Sequence, residues 1–376
     1  MPLSVSDMIK ARLCSESLLT DPVDALREAL FAIGKQMASD GFGPPHLVSM
    51  LWEAADPDAL DPATMAVDLA YREVFVGFRP PITRKAASSA GVRVEVECAR
   101  SASPVNEANA ALERAYSARR GVDMQAVLGR WRVEGREARQ QLLASGRARL
   151  DMPFGDGPFE KLDLFLPAGP GPHPCWIFLH GGYWMATDKA QYAQFAHGLL
   201  DAGIAVALPN YALAPQASLE QQVAECVRSL TFLAASASNL SLDCNRLHLA
   251  GHSAGAHLAA MVAVDPARLP VKSMLLLSGL FDLAPLGFTP LGKLLGLDDA
   301  ARAVRLNPLV CSRPQGLAVA HALGALEAEG FFAQAGMLEQ RWGVEPGLIA
   351  PGDNHFSLLE GLKSGPLLDL ALKLAR

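Results

Sequence analysis

At 376 residues, half of them apolar, the chain is long enough for two domains with ordinary hydrophobic cores and too apolar to be disordered. Lys and Arg number 33 against 39 Asp and Glu, a net charge of -6 with no basic stripe, which argues against nucleic acid as a partner. No uncharged apolar stretch approaches a membrane span, and the opening MPLSVSDMIKARLC lacks the basic stretch and apolar run that export requires, so no membrane contact and a cytoplasmic location are expected.

The first hundred residues predict a small α+β domain. Val23, Leu26, Leu30, Ile33 and Met37 recur at helical spacing behind Asp21-Pro22, a cap followed by a proline in the first turn. His46–Trp52 predicts a strand and Pro62–Phe75 a second helix, and Val92–Cys98 alternates as a strand should. A polar segment, Ala99–Val105, sets the boundary, giving domains at 1–100 and 106–376. Helical patterns at 106–119 and 122–145 lead into the second.

From about Arg147 onward short β-rich runs alternate with amphipathic helices, the pattern of a mostly parallel sheet with helices on both faces. Strands are predicted at Lys161–Leu166, Pro174–Leu179, Ala205–Leu208, Arg246–Ala250, Lys272–Leu277, Leu317–Leu323 and Gly347–Ala350. The helices between and after them fall near 187–202, 218–236, 254–264, 329–342 and 357–374. Continuous apolar runs such as WIFL and MLLL suit strands buried on both faces. Ala284–Val310, rich in Leu, Gly and Pro, breaks the rhythm and reads as an insertion over the strand ends, placed to line a pocket. Six cysteines, Cys14, Cys98, Cys175, Cys226, Cys244 and Cys311, show no CxxC spacing, so reduced and mostly buried thiols are expected.

The strand RLHLA runs into Gly251-His252-Ser253-Ala254-Gly255 and a helical pattern starts at once. Small residues around a serine at a strand-to-helix turn lift its hydroxyl to the helix N-terminus at the carboxyl edge of a sheet. Alone the pentapeptide is weak, since its composition alone produces it in roughly one chain of this length in ten. Its neighbours decide. Leu179-His180-Gly181-Gly182-Tyr183-Trp184 ends the earlier buried strand, and adjacent glycines can bring backbone N–H groups close to an oxyanion. Gly181 and Gly182, with the N–H of Ala254, are the candidate oxyanion hole.

A serine hydroxyl needs a base, and the base needs a third group to hold its tautomer. Of nine histidines, His355 alone lies between the last predicted strand and the last helix, where the chain order Ser, acid, His places the base. The acid belongs just past Leu317–Leu323, where Glu327 and Glu329 both stand, and Asp282 after an earlier strand is a third candidate. Spacing does not choose among them. Tyr183 and Trp184, directly after the oxyanion glycines, are candidate substrate-binding residues, with Phe288 and Phe356 as further wall.

Over residues 106–376 the runs LERAYSAR, RLDMPFGDGPFEKLDLFLP, HGGYW followed by DKAQY, GHSAGAHLAA and NHFS together resemble the bacterial kynurenine formamidase-like (arylformamidase) branch of the α/β-hydrolases. The resemblance implies an α/β-hydrolase fold, a serine acyl-enzyme mechanism without metal or organic cofactor, and a small-molecule substrate. It also places the triad acid seven residues before Gln334, on Glu327. Residues 20–100 resemble the second half of the Rid family of enamine/imine deaminases in DALREALFAIGKQM, HLVSMLWEAADPDAL and VRVEVECA, with the opening strands of that fold shortened or absent. The family's Pro-x-Arg-Thr stands here as Pro81-Ile82-Thr83-Arg84, with the arginine displaced, which implies a degenerate domain kept for packing or assembly. Such domains are trimeric in their family, which implies a homo-oligomer.

Three readings follow. The first is a hydrolase of aryl formamides, N-formylkynurenine above all, or short-chain esters, through Ser253, His355 and Glu327. A general carboxylesterase shares every one of those features. A binding protein of the same fold that has lost catalysis would be expected to show a broken triad.

Overall fold

The computed structural model describes residues 9–17, 19, 21–39, 47–62, 67, 70–71, 82–87, 91–100, 111–266 and 269–376. They form two compact units, one of residues 1–113 with 288–294, the other of 114–287 with 295–376.

In the first unit β1 (Ile9–Ser17), α1 (Pro22–Ser39), β2 (Leu47–Ala54), β3 (Ile82–Ala86) and β4 (Val92–Arg100) build a four-stranded sheet of order β1-β4-β2-β3. Helix α1 buries Leu26, Leu30, Ile33 and Met37, the apolar stripe expected of it, and Trp52, Val94 and Val96 complete the core. Strand β1 was not foreseen. It pairs antiparallel with β4 from Ile9 opposite Arg100 to Ser17 opposite Val92, so an opening strand is present. Lys10, Arg12 and Glu16 share one face of this edge strand, which leaves little apolar signal. Arg84 lies in β3 and donates from Nη1 to Pro57 O at 2.9 Å. The expected helix Pro62–Phe75 lies mostly outside the described residues, as do His46, Pro81, 101–105 and the start of the helical pattern at 106–119.

The second unit holds the eight-stranded sheet. Its strands are β5 (Ala148–Pro153), β6 (Lys161–Phe165), β7 (His173–Leu179), β8 (Ala205–Pro209), β9 (Leu242–His252), β10 (Val271–Leu277), β11 (Ala318–Gly324) and β12 (Leu348–Ala350). Their order is β12-β11-β10-β9-β7-β8-β6-β5. The run from β8 to β12 is parallel, and β6 pairs antiparallel with both β8 and β5. Around it lie α2 (Met124–Ala144), α3 (His197–Asp201), α4 (Leu219–Ser236), α5 (Ala254–Ala263), α7 (Ala300–Arg305), α8 (Glu329–Trp342) and α9 (Pro366–Leu374), while α6 (Pro290–Leu294) is grouped with the first unit. All five residues of β8 are buried, as its unbroken apolar run requires. Helix α4 starts at a reciprocal capping box between Ser218 and Gln221.

Differences from the expected elements have local causes. Strand β5 is absent from the predicted strands; it is an edge strand with alternating exposure and a terminal proline. The helix expected near 187–202 is a 3-10 segment, Lys189–Ala196, running into α3, and the last expected helix divides at Gly365, where φ is 94°. The inserted segment after β10 carries short helical turns, as its Gly and Pro content dictates. Of the cysteines, Cys175 and Cys226 are buried but Cys14, Cys244 and Cys311 are exposed, against expectation. No helix among the described residues is long and apolar enough to cross a membrane.

A buried ionic cluster fixes the 3-10 segment to the sheet. Asp163 of β6, with a side chain 0% exposed, lies 2.9 Å from Lys189 Nζ and 2.7 Å from Arg139 Nε, and Asp151 lies 2.6 Å from Lys189 Nζ. Removing one member of a buried pair leaves an uncompensated charge, at a cost of about 3–5 kcal/mol. Asp163→Ala should therefore lower stability by about 3 kcal/mol, because Asp151, 56% exposed, compensates Lys189 weakly. Arg246→Ala, which breaks a partly exposed pair with Asp243, should cost no more than about 1 kcal/mol. Urea unfolding of the two variants checks this, and equal midpoints would contradict it.

Candidate active site

Strands β7, β9, β10, β11 and β12 are parallel neighbours, so the residues that follow each of them lie side by side along one edge of the sheet. Ligands of open α/β sheets bind at such carboxyl edges. Backbone strain gathers there as well. Seven non-glycine residues among those described have positive φ, and five of them, Tyr183, Trp184, Thr187, Ser253 and Ser278, stand in the loops after β7, β9 and β10.

Ser253 follows β9 with φ 55° and ψ −119° and begins α5. A residue with a side chain costs of order 1–3 kcal/mol in such a conformation, so the surroundings must impose it. They do so through close approach. A Cβ on Gly255 would lie 2.0 Å from Leu179 O, and only glycine lets α5 close against the end of β7. The Ser253 N–H donates to Leu277 O at 2.8 Å, extending the contact with β10. As the first residue of α5, Ala254 has no intrahelical acceptor for its N–H.

The turn after β7 lies against this elbow. A Cβ on Gly181 would stand 3.3 Å from Ser253 Cβ and 3.0 Å from His252 O. The Gly181 N–H, however, donates to Tyr192 Oη at 3.2 Å, so of the expected oxyanion donors this one is engaged within the fold. Its carbonyl accepts from Thr187 Oγ1 at 2.7 Å, and Tyr211 stacks on His180 at 4.3 Å while donating to His180 O at 2.7 Å. The turn then continues through Gly182, with φ 112°.

Tyr183 and Trp184 part company. The Tyr183 hydroxyl accepts from Ala118 N–H at 2.8 Å and donates to Tyr116 O at 3.3 Å, tying the approach segment to the turn. Trp184 is fully buried, and its indole N–H donates to His257 Nδ1 at 3.1 Å. The structure therefore places Trp184 in the core instead of on a pocket wall, because a buried indole N–H needs an acceptor and finds one only inward. His257 in turn lies 2.7 Å from Leu306 O through Nε2, and burial holds its pKa down at about 4, so it stays neutral as the acceptor for Trp184. Of the further expected wall residues, Phe288 is 65% exposed and Phe356 packs edge-on to Trp131 at 5.8 Å between centroids.

The candidate acid Glu327 and the candidate base His355 meet as a buried pair. His355 Nδ1 lies 2.8 Å from Glu327 Oε2, with both residues almost wholly buried. The other carboxylate oxygen, Oε1, accepts from Ser278 Oγ and from Gly324 N–H, each at 2.7 Å. Glu329 is exposed in the first turn of α8, and Asp282 caps the N–H of Ala284 at 3.1 Å. The geometry thus separates three carboxylates that spacing left together. Gln334, fully buried, accepts from the N–H groups of Phe281 and Asp282 and donates to Asp282 O, which locks α8 to the loop after β10. The base loop is braced from the acid side, where Leu326 N–H donates to Asp353 O at 2.8 Å. Asn354 Oδ1 also accepts from Phe356 and Ser357 N–H.

Ser278, Tyr192 and Thr187 were not foreseen. Ser278 carries the one available signal, a position directly after a buried strand, but its partner stands 49 residues away in the chain. His248 and His321 pair with Ser273 Oγ at 2.8 Å and with Glu339 Oε1 at 3.0 Å.

The family model BD-FAE matches residues 162–272. Kynurenine formamidase of Danio rerio is 35% identical over 168 residues, covering 42% of this chain and 55% of the fish protein. The chain thus spans about half the length of the kynurenine formamidases it matches. An isoprenylcysteine alpha-carbonyl methylesterase of Arabidopsis thaliana is 33% identical over 129 residues, 34% of this chain and 30% of its own. The crystal structure of a proposed thioesterase from Silicibacter sp. superposes with a TM-score of 0.62 at 32% identity, covering 69% of this chain and 97% of that one.

Proposed function

The chain belongs to the α/β-hydrolase family, and from that premise we propose that it is a serine hydrolase cleaving aryl formamides or short-chain esters through an acyl-enzyme on Ser253. The observation that carries the reading is the buried contact of His355 Nδ1 with Glu327 Oε2 at 2.8 Å, in the loops after β12 and β11 on the same sheet edge as the strained Ser253.

In this reading His355 Nε2 takes the proton of Ser253 Oγ as that oxygen attacks the substrate carbonyl, and returns it to the departing amine or alkoxide. Water then enters by the same route and releases the acid. Glu327 holds the imidazole in the tautomer that leaves Nε2 free and stabilises the imidazolium. The oxyanion falls to the N–H groups of Gly182 and Ala254, with Gly181 supplying close approach. Similarity to proteins named formamidase and methylesterase supports an acyl-transfer site that accepts nitrogen or oxygen leaving groups. The close packing of the glycine turn on the elbow, where a Cβ on Gly181 would stand 3.3 Å from Ser253 Cβ, supports a narrow acyl side. Tyr183, only half-buried, remains for the leaving group.

The unit built on residues 1–113 we read as a degenerate Rid-like domain kept for packing or assembly, because the Arg84 guanidinium is engaged with Pro57 O. Free, exposed thiols at Cys14, Cys244 and Cys311 support a reducing, cytoplasmic setting.

Glu327→Gln should lower kcat by about three to four orders of magnitude, since the amide no longer favours the productive imidazole tautomer. Glu329→Gln, on an exposed side chain, should change it less than about twofold. Steady-state kinetics on phenyl acetate measure both, and the reverse ranking would move the acid to Glu329.

On substrate, kcat/KM for N-formylkynurenine and for phenyl acetate should exceed that for phenyl octanoate by at least about tenfold, because a tight acyl side excludes long chains. A value rising steadily with acyl length beyond butyrate, without formamide cleavage, would turn the reading to a general lipophilic esterase.

A further inference from the structure

The proton relay makes no use of His252, yet its side chain packs against both the base and the glycine turn. It precedes Ser253 directly and is 1% exposed. Its Nε2 lies 2.8 Å from the backbone oxygen of His355, and the two imidazole centroids are 4.6 Å apart. On the other side, a Cβ on Gly181 would fall 2.9 Å from His252 Nδ1, so the ring packs flush against the glycine turn. Tyr192, which holds the Gly181 N–H, and Phe356, which follows the base, flank it at 6.5 and 6.4 Å between centroids.

A carbonyl only accepts, so the contact with His355 O requires a proton on His252 Nε2. Nδ1 then carries the lone pair, and it has no hydrogen-bond partner among the described residues. A buried acceptor left unmet is destabilising, and a phenyl ring of similar shape would avoid that cost. The imidazole supplies something a phenyl ring cannot, the Nε2–H donor. Burial, reinforced by charge on His355, holds the His252 pKa well below the usual imidazole range, so the donor form persists while His355 cycles through its charged state.

Resting on the serine hydrolase reading of Ser253 and His355, we propose that His252 is a positioning residue that fixes the main chain of the base to the nucleophile elbow. Glu327 sets the orientation of the His355 ring through Nδ1. It leaves the height of the His355 backbone above the elbow to the loop after β12. The hydrogen bond from His252 closes that freedom with a single link from the residue beside Ser253 to the carbonyl of the base itself. Misplacing reacting groups by about 1 Å can cost on the order of a hundredfold in rate.

The test compares His252→Phe, which keeps the ring and loses the donor, with His252→Gln, whose amide can donate in the same direction. Phenyl acetate is the substrate for the full-length chain. His252→Phe should lose about tenfold to a hundredfold in kcat with KM within about twofold of wild type, and His252→Gln should recover to within about threefold. Should the phenylalanine chain not fold, His252→Met, also without a donor, carries the same comparison. A donor-less variant with wild-type kcat would overturn the proposal, and so would a glutamine variant as slow as the donor-less ones. If the wild-type chain itself hydrolyses no ester or formamide, it is the serine hydrolase reading that falls.

Discussion

The candidate site depends on satisfying one carboxylate where there is almost no water. Glu327 is 6% exposed, and an isolated ion at that depth would be prohibitively costly. Three donors make it tenable, His355 Nδ1 on one oxygen, Ser278 Oγ and Gly324 N–H on the other. Each comes from a different strand end. Ser278 follows β10, Gly324 ends β11 and His355 follows β12, so the carboxylate is satisfied only when three parallel strands are in register.

That requirement explains why so much strain is tolerated along this edge. Ser278 adopts φ 50° and Ser253 φ 55°, conformations that a loop free to relax would abandon. Sheet hydrogen bonds hold them, Ser278 N–H to Ala322 O at 2.9 Å and Ser253 N–H to Leu277 O at 2.8 Å. Farther back, the same logic ties the glycine turn to the sheet. Lys189, neutralised by Asp163 and Asp151, anchors the 3-10 segment that carries Tyr192, and Tyr192 holds Gly181. A buried ion pair on β6 thereby helps to set a turn beside the proposed nucleophile.

The residues that could be read from sequence are those whose chemistry is local. Gly251-His252-Ser253-Ala254-Gly255 announces an elbow because small residues must be adjacent for the helix to close on the neighbouring strand, and the 2.0 Å approach at Gly255 shows why. The parallel strands were legible from unbroken apolar runs. Strands β1 and β5 were not, since each lies at a sheet edge and alternates charged with apolar residues. Trp184 looked like a pocket residue beside the glycines, and only its partner His257, 73 residues on, turns it inward. Glu327 and Glu329 differ by two positions, and the distinction lies in a turn that buries the first and opens α8 at the second. Links such as His252 to His355, 103 residues apart, have no signature along the chain, because they exist only once the strand order does.

The account centres on a serine made nucleophilic by this constellation, and covalent trapping examines it most directly. The purified chain would be treated with a fluorophosphonate, digested, and mapped by mass spectrometry. The account predicts a single stoichiometric adduct on the peptide containing Ser253, formed far more slowly when His355 is replaced by alanine. A chain left unlabelled, or labelled on another residue at the same rate with and without His355, would contradict it.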